Sequence, residues 1–266
     1  MTAEWQALFG AGRLDEAIAL MNGEVRKNPT DVNRRAVLAE LLCFAGNLER
    51  ADAILAAIDA IDPGTVMGVS LFRQLVRAEQ ARQQFLSDGR MPEFLKKPDG
   101  AVELELRAVV ALRAGATAEA AALAAEAESV RPLAPGTADG VSFDDFRDLD
   151  DLSAAHFEVL TSTGKYYWIP VASVSAIEFR APERRRDLLW RRAAMSVIDG
   201  PDGEVFMPAI YGSANKDLDP QYRLGHATDF LGGENEPQQG VGLRSFLIGE
   251  ESRTILELGK IEFSKA

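Results

Sequence analysis

A chain of 266 residues, 47% hydrophobic and 26% charged, has an ordinary globular balance and enough apolar material for one large or two ordinary domains. Its formal net charge of −12 argues against nonspecific nucleic-acid binding, which depends on clustered cations. The single cysteine, Cys43, and the two histidines, His156 and His226, exclude an intramolecular disulfide, a cysteine-based zinc site and a histidine-rich metal site.

The first residues, "MTAEWQALFGAGRLDEAIAL", hold early acids, no basic segment and no long apolar run, so no signal peptide is expected. No stretch approaches about 18 uninterrupted apolar residues, so no membrane partner is expected and the location is read as cytoplasmic. "GRLDEAIALMNGEVRKNP", from Gly12 to Pro29, returns 34 residues later as "GNLERADAILAAIDAIDP", from Gly46 to Pro63. A third copy, "GATAEAAALAAEAESVRP", runs from Gly115 to Pro132. In each, Gly ends a leading helix, small Ala lets the second helix pack closely, and Pro stops it. A 34-residue period in helical sequence is the mark of tetratricopeptide-type helix pairs, which stack because no pair buries its apolar face alone.

The third copy starts 69 residues after the second, so the stretch between holds a degenerate pair. In it "VMGVSLFRQLVRAEQARQQFLS" reads as one helix with Leu71, Leu75 and Ala78 on a face, and "DGRMPEFLKKPDG" as a loop. A plain helical bundle is the alternative. Such arrays hold a peptide or helix in their concave face. The leading helix of the second pair, from about Asp31 to Phe44, points Asn33, Ala36, Glu40 and Phe44 toward that groove. Packing against the next helix is the competing role for Phe44, and Cys43 reads as a half-buried helix residue. The seam between the two halves of the chain is a second candidate surface.

The helical domain is assigned to residues 1–135. Residues 136–155 are assigned to an acidic linker and short helix: "RPLAPGTADGVSFDDFRDLDD", Arg131 to Asp151, leads into a helix placing Phe143, Phe146 and Leu149 on one side. Residues 156–266 form a mainly β domain, and the fold class is α+β. "HFEVLTSTGKYYWIPV" reads as two strands around Gly164, "AIEFRAP" as another, and "SVIDGPDGEVFMPAI" as a hairpin. "LRSFLIG" and "RTILELGKIEF" make a last pair, closing a small curved sheet or partly open barrel. An inserted helix is predicted from Pro182 to Ala193, "PERRRDLLWRRA". Its five arginines are assigned to ion pairs with the acidic linker, with an external acidic partner or nucleic acid as alternatives.

The densest polar loop is "AIYGSANKDLDPQYRLGHATDF", Ala209 to Phe230. Ser213, His226 and its aspartates are nominally the parts of a nucleophilic triad. Ser213 sits in no Gly-x-Ser-x-Gly elbow, and the chain has no Walker loop, no His-Glu-x-x-His and no dinucleotide fingerprint. "LGGENEPQQGVG" lacks a following helix and reads as a surface loop. No enzyme, catalytic residue, cofactor or metal is expected. A hydrolase using the Ser213–Asp229 loop is the alternative.

"YYWIP", "RDLLW", "PAIYGS" and "RLGHATD", in that order behind degenerate helical repeats, resemble the ImpE/TagJ family, accessory proteins of bacterial type VI secretion systems. The resemblance covers essentially the whole chain. It implies a non-catalytic adaptor that binds a helical segment of the small sheath subunit, TssB, and links the sheath to the ClpV ATPase. An adaptor of another bacterial assembly is the alternative. The matching positions are Asp187, Leu188, Leu189 and Trp190, then Pro208, Tyr211, Ser213, Arg223, Leu224, Gly225, Thr228 and Asp229. Arg184, Arg185, Trp190, Tyr211, Arg223 and Asp229 are the candidates for partner or interdomain contact. Three positions depart from the pattern: Tyr211 runs directly into Gly212, where an extra residue is usual, His226 stands for Arg, and Phe230 for Trp.

Overall fold

The computed structural model describes residues 2–98, 100–212 and 218–264. Seven helices come first: α1 (Thr2–Gly10), α2 (Leu14–Lys27), α3 (Val32–Phe44), α4 (Leu48–Ile61), α5 (Val66–Asp88), α6 (Gly100–Arg113) and α7 (Thr117–Val130). The repeat lies in how three of them end. Gly12, Gly46 and Gly115 take φ of 77°, 72° and 78°, a left-handed conformation that side chains resist. At each, two backbone bonds seal the helix. Gly12 donates to Phe9 and Arg13 to Leu8; Gly46 donates to Cys43 and Asn47 to Leu42; Gly115 donates to Leu112 and Ala116 to Ala111. The helix that follows is 14 residues long every time and carries a fully buried alanine: Ala17, Ala51 or Ala120.

The degenerate pair between the copies is one 23-residue helix, α5. It buries Leu75 and Ala78, as its spacing predicts, and also Phe72, Val76, Arg82 and Phe85. The chain beyond it runs along the other half of the molecule, where Glu93 donates its N–H to Tyr166 O at 2.8 Å and accepts from Trp168 N at 3.1 Å.

From Gly136 the structure is strand-rich. The strands are β1 (Gly136–Ala138), β2 (Val141–Phe143), β3 (Phe146–Asp148), β4 (His156–Leu160), β5 (Tyr166–Pro170), β6 (Val174–Phe179), β7 (Trp190–Val197) and β8 (Asp202–Pro208). After the one-turn helix α8 (Pro220–Arg223) come β9 (Thr228–Leu231), β10 (Gln239–Gly242), β11 (Ser245–Ile248), β12 (Glu251–Thr254) and β13 (Lys260–Phe263). An eight-stranded sheet has the order β2-β1-β13-β6-β7-β8-β4-β5, a three-stranded sheet the order β12-β11-β3, and β9 pairs with β10. The molecule is α+β, with tetratricopeptide-like helices followed by a mainly β half of open sheets.

Three sequence expectations change. The short helix expected within 136–155 is absent; β1 to β3 stand there instead. Asp139 and Gly140, at φ 52° and 84°, make the tight turn between β1 and β2, and burial alternates along β3, with Phe146 and Asp148 inward. The inserted helix at 182–193 is a single 3₁₀ turn, Arg185–Leu188, running into β7. β7 lies between β6 and β8, whose ladders satisfy its backbone on both sides, and this pairing overrides its helix propensity. "RTILELGKIEF" splits into β12 and β13, which belong to different sheets.

The large sheet is sandwiched. Tyr166, Trp168, Trp190 and Phe206 join the helical core, while Phe157, Ile169, Met195 and Met207 join a second core with Phe146 and Phe246. Phe85 of α5 is 1% exposed and meets Trp168 of β5 edge-to-face at 5.1 Å. Phe85→Ala should therefore lower stability by about 3–5 kcal/mol. Urea unfolding followed by far-ultraviolet circular dichroism and by tryptophan fluorescence should still give one shared midpoint, since the two halves share this core.

Candidate functional site

The inner face of the helices is occupied by the chain itself. Arg185 stacks over Trp5 of α1 at 4.2 Å and reaches Glu40 of α3 at 3.3 Å. Arg186 lies 4.8 Å over Phe72 of α5. Asp187 holds the turn by accepting from the backbone N–H groups of Glu183 and Arg184, each at 2.9 Å. Of the residues expected to face a ligand, Glu40 is thus paired internally. Phe44 is buried and packs edge-to-face on Phe9 at 5.0 Å. Ala36 is half-buried and Asn33 is exposed. Burial lifts the Glu40 carboxyl above its ordinary value despite Arg185 and Arg186. Arg185 and Arg186 therefore face the helical half, Arg191 donates to Leu258 O at 3.4 Å and Arg192 meets Glu204 at 3.6 Å, and the acidic stretch has other partners: Asp145 meets Arg131 at 2.6 Å and Asp151 meets Arg147 at 2.8 Å.

Below this turn lies a buried ion network that joins the two halves. Glu158 projects from β4 toward α5, where Arg82 grips it with two bonds of 2.8 Å. Arg244, just before β11, reaches the same carboxylate and also Asp148 at 2.5 Å. Tyr211 donates to Asp148 at 2.7 Å, Tyr166 donates to Glu158, and Trp168 donates to Tyr166 at 2.6 Å. Arg82 also meets Glu79 at 3.1 Å, which accepts from the Trp190 indole at 3.0 Å. Burial alone would lift Glu158; Arg82 and then Arg244 reverse that and hold it far below the usual carboxylate range. Burial wins at Asp148 and Glu79, which both lie above their ordinary values. The family-pattern residues Trp190 and Tyr211 are thus structural members of this network.

Beside the network an open cleft of about 710 Å³ runs along α5 at the seam of the two halves. Phe44, Trp190, Tyr211 and Arg223, which the sequence singled out separately, all line it, with Leu86 and Tyr222. Gly212 lies so close to Leu86 and Arg82 that a Cβ there would overlap Leu86, which accounts for a glycine directly after Tyr211. Half-buried Arg223 faces Asp15 at 3.8 Å, and Tyr222 donates to Asp229 at 3.2 Å. Asp229 and Arg184 are exposed, and His226, also exposed, sits 6.2 Å from Phe9. Ser213 and Asp217 lie outside the described residues. Among the described residues no group of three His, Cys, Asp or Glu side chains is placed to hold a metal, and no single helix is long and apolar enough to cross a membrane. Burial raises the Cys43 thiol well above its ordinary value.

Sequence reading passed over Arg82, Glu158 and Arg244. Their signal was present: a lone Glu inside "HFEVL" and a lone Arg on the apolar face of α5 are charges with no solvent to face. Glu158→Gln removes the carboxylate shared by two buried guanidiniums and leaves Arg82 only Glu79 and Arg244 only Asp148 as charged partners. It should cost about 3–5 kcal/mol in urea unfolding at neutral pH. Asp150 gives a pH test. Burial, reinforced by the Asp148 charge, pushes its carboxyl up to about 7. An unfolded aspartate titrates near ~3.9, so this group's stabilisation is full below about pH 4 and is lost as pH rises through about 7. Asp150→Asn should flatten that part of the stability profile by roughly 1 kcal/mol per pH unit.

Comparison with known proteins follows the same division of the chain. Residues 8–67 match the tetratricopeptide repeat, and residues 140–262 match the ImpE protein family. The chain is 26% identical over 258 residues to the type VI secretion system accessory component TagJ of Pseudomonas aeruginosa, covering 97% of this chain and 90% of that protein. A Vibrio parahaemolyticus protein solved by X-ray crystallography superposes with a TM-score of 0.91 at 27% identity, covering 99% of this chain and 98% of that one. Repeats and β half are thus matched in the same order, and the chain is similar to the ImpE protein family over its β half and to TagJ over nearly its whole length.

Proposed function

We propose that this protein is a non-catalytic, cytoplasmic adaptor of a type VI secretion system that binds a helical segment of the small sheath subunit, TssB, and links the sheath to recycling by the ClpV ATPase. The likeness to the Pseudomonas aeruginosa accessory component supports the setting. The observation that carries the docking surface is the seam cleft. The inner face of the repeats is filled by Arg185 and Arg186, which leaves the cleft along α5 as the open, apolar-floored surface of the helical half. Leu86, Trp190 and Ile210 offer the floor, and Gln80, Gln83, Glu49 and Arg223 the polar rim. An amphipathic helix fits such a surface by burying its apolar stripe and pairing its flanks.

Calorimetric titration of the full chain with a peptide of the first helix of the cognate sheath subunit should give a dissociation constant on the order of 1–10 μM, with a gain in peptide helicity. Tyr222→Ala and Arg223→Ala should each weaken it several-fold, and raising salt should weaken it further through the Arg223 rim. The exposed Arg184→Ala should leave it unchanged. Absence of binding at tens of micromolar at both low and high salt would falsify this reading.

A further inference from the structure

The turn that covers the inner face of the helices is fastened there lightly. Its backbone bonds are mostly its own: Asp187 gathers the Glu183 and Arg184 N–H groups, Asp187 N–H donates to Arg184 O and Leu189 N–H to Arg186 O, each at 3.0 Å. Leu189 O accepts from Ala209 in the β half. Among the described residues no backbone group of Glu183–Leu189 bonds a helix. Contact with the helices is left to side chains: Leu188 and Leu189 at the edge of the helical core, and the two guanidiniums. Neither guanidinium is fully matched. Arg185 gives Glu40 a single bond, at 3.3 Å, where about 2.7–3.2 Å is usual and an arginine fork can give two. The other Glu40 oxygen accepts no bond among the described residues, and the Arg185 side chain is 32% exposed. Arg186 lies on Phe72, and among the described residues its guanidinium has no ion pair or hydrogen bond; burial, and then the Arg184 charge, lower its pKa. The Arg82–Glu158 pair, with two bonds of 2.8 Å, is what a fixed tie looks like in the same molecule.

What the turn covers is nonetheless selective. Trp5 offers Arg185 a ring face at 4.2 Å and Glu40 offers it a carboxylate, while Phe72 offers Arg186 a second face at 4.8 Å. A flat, weakly hydrated guanidinium can stack and donate at once; a lysine ammonium has no plane to stack and holds its water more tightly. Asp187, directly after the two arginines, folds the chain so that both reach the rings. The helices thus present the receiving half of an arginine-binding surface, and the chain fills it with a segment held by few bonds. We infer that the inner face of the helices is a recognition groove for a partner-protein segment carrying two adjacent arginines followed by an acidic residue, and that Arg185 and Arg186 occupy it as an internal competitor. This groove is distinct from the seam cleft and does not rest on the sheath reading.

The test supplies the turn from outside. The probe is a capped peptide of the chain's own Glu183–Leu189, "ERRRDLL", and its control is "ERKKDLL", of equal charge with lysines at the two stacking positions. Each is titrated into the full chain and into its Arg185→Ala, Arg186→Ala double variant, followed by calorimetry and by nuclear magnetic resonance of the Trp5 indole N–H. The double variant should bind the arginine peptide with a dissociation constant on the order of 100 μM and shift the Trp5 signal. The lysine peptide should bind it about tenfold more weakly. The unaltered chain should bind the arginine peptide at least about tenfold more weakly than the variant does, because its own turn competes at high effective concentration. Adding Glu40→Gln to the double variant should weaken binding by about tenfold. Circular dichroism checks folding, and Arg185→Ala alone serves if the double variant does not fold. Millimolar peptide on the unaltered chain, where arginine should still exceed lysine, needs no variant. No binding by a folded variant at about 1 mM, equal binding of the arginine and lysine peptides, or equal binding by variant and unaltered chain overturns the inference. The probe contains no sheath sequence, so failure of the sheath reading and failure of this groove are separate results.

Discussion

The carboxylate of Glu158, held between Arg82 and Arg244, is the constraint on which the rest of the molecule depends. It sits on β4, the strand whose every residue is buried, and its two arginines come from α5 and from the approach to β11. One side chain therefore ties the helical half, the large sheet and the small sheet together. A buried ion pair of this kind is weak as a source of net stability, because both charges gave up water to form it. Its force lies in what it forbids. Any sliding of α5 over the sheet strands a guanidinium or a carboxylate in a low-dielectric interior, so one register of the two halves is strongly preferred. Tyr166, Trp168, Tyr211 and Trp190 add directional donors to the same network, which narrows that register further.

With the register set, the surfaces follow. The 3₁₀ turn preceding β7 is carried to the inner face of the helices, where two guanidiniums lie over aromatic rings. Such contacts gain energy where water is partly excluded, and they close the face that a helical-repeat protein ordinarily leaves for a peptide. The free concavities are displaced to the seam, on either side of the Arg82–Glu158 pair. Tyr211 and Gly212 border both. The "PAIYGS" stretch thus shapes these concavities through packing, with the Tyr211 phenol spent on Asp148 and the Ser245 backbone.

The buried carboxyls in this region do not share one electrostatic fate. Glu158 has two guanidiniums and stays strongly acidic, whereas Asp150, with backbone partners and a like charge nearby, holds its proton to about 7. The difference is one of partners, since both are buried.

The sequence by itself determined the helical half. Gly12, Gly46 and Gly115 with alanines five residues on are local signals, because a left-handed helix end and a close helix approach are each decided within a few residues. It also determined most strands, whose turns and alternation are equally local, and it contained the motifs that carry the resemblance to ImpE and TagJ. It did not determine the character of 182–193 or of 136–155. "RDLLWRR" has the composition of a helix, and only the neighbouring β6 and β8, far away in the chain, supply the backbone partners that make it β7. Nor did it determine the site. Asn33, Ala36, Glu40 and Phe44 share a helix face by periodicity, yet what covers that face is Arg185, 145 residues beyond Glu40. Arg82 and Glu158 stand 76 residues apart, and His156 and Glu105 stand 51 apart. Pairings of buried charge are long-range choices, decided by which side chains are left without water once the halves close. Only the tertiary structure makes that choice.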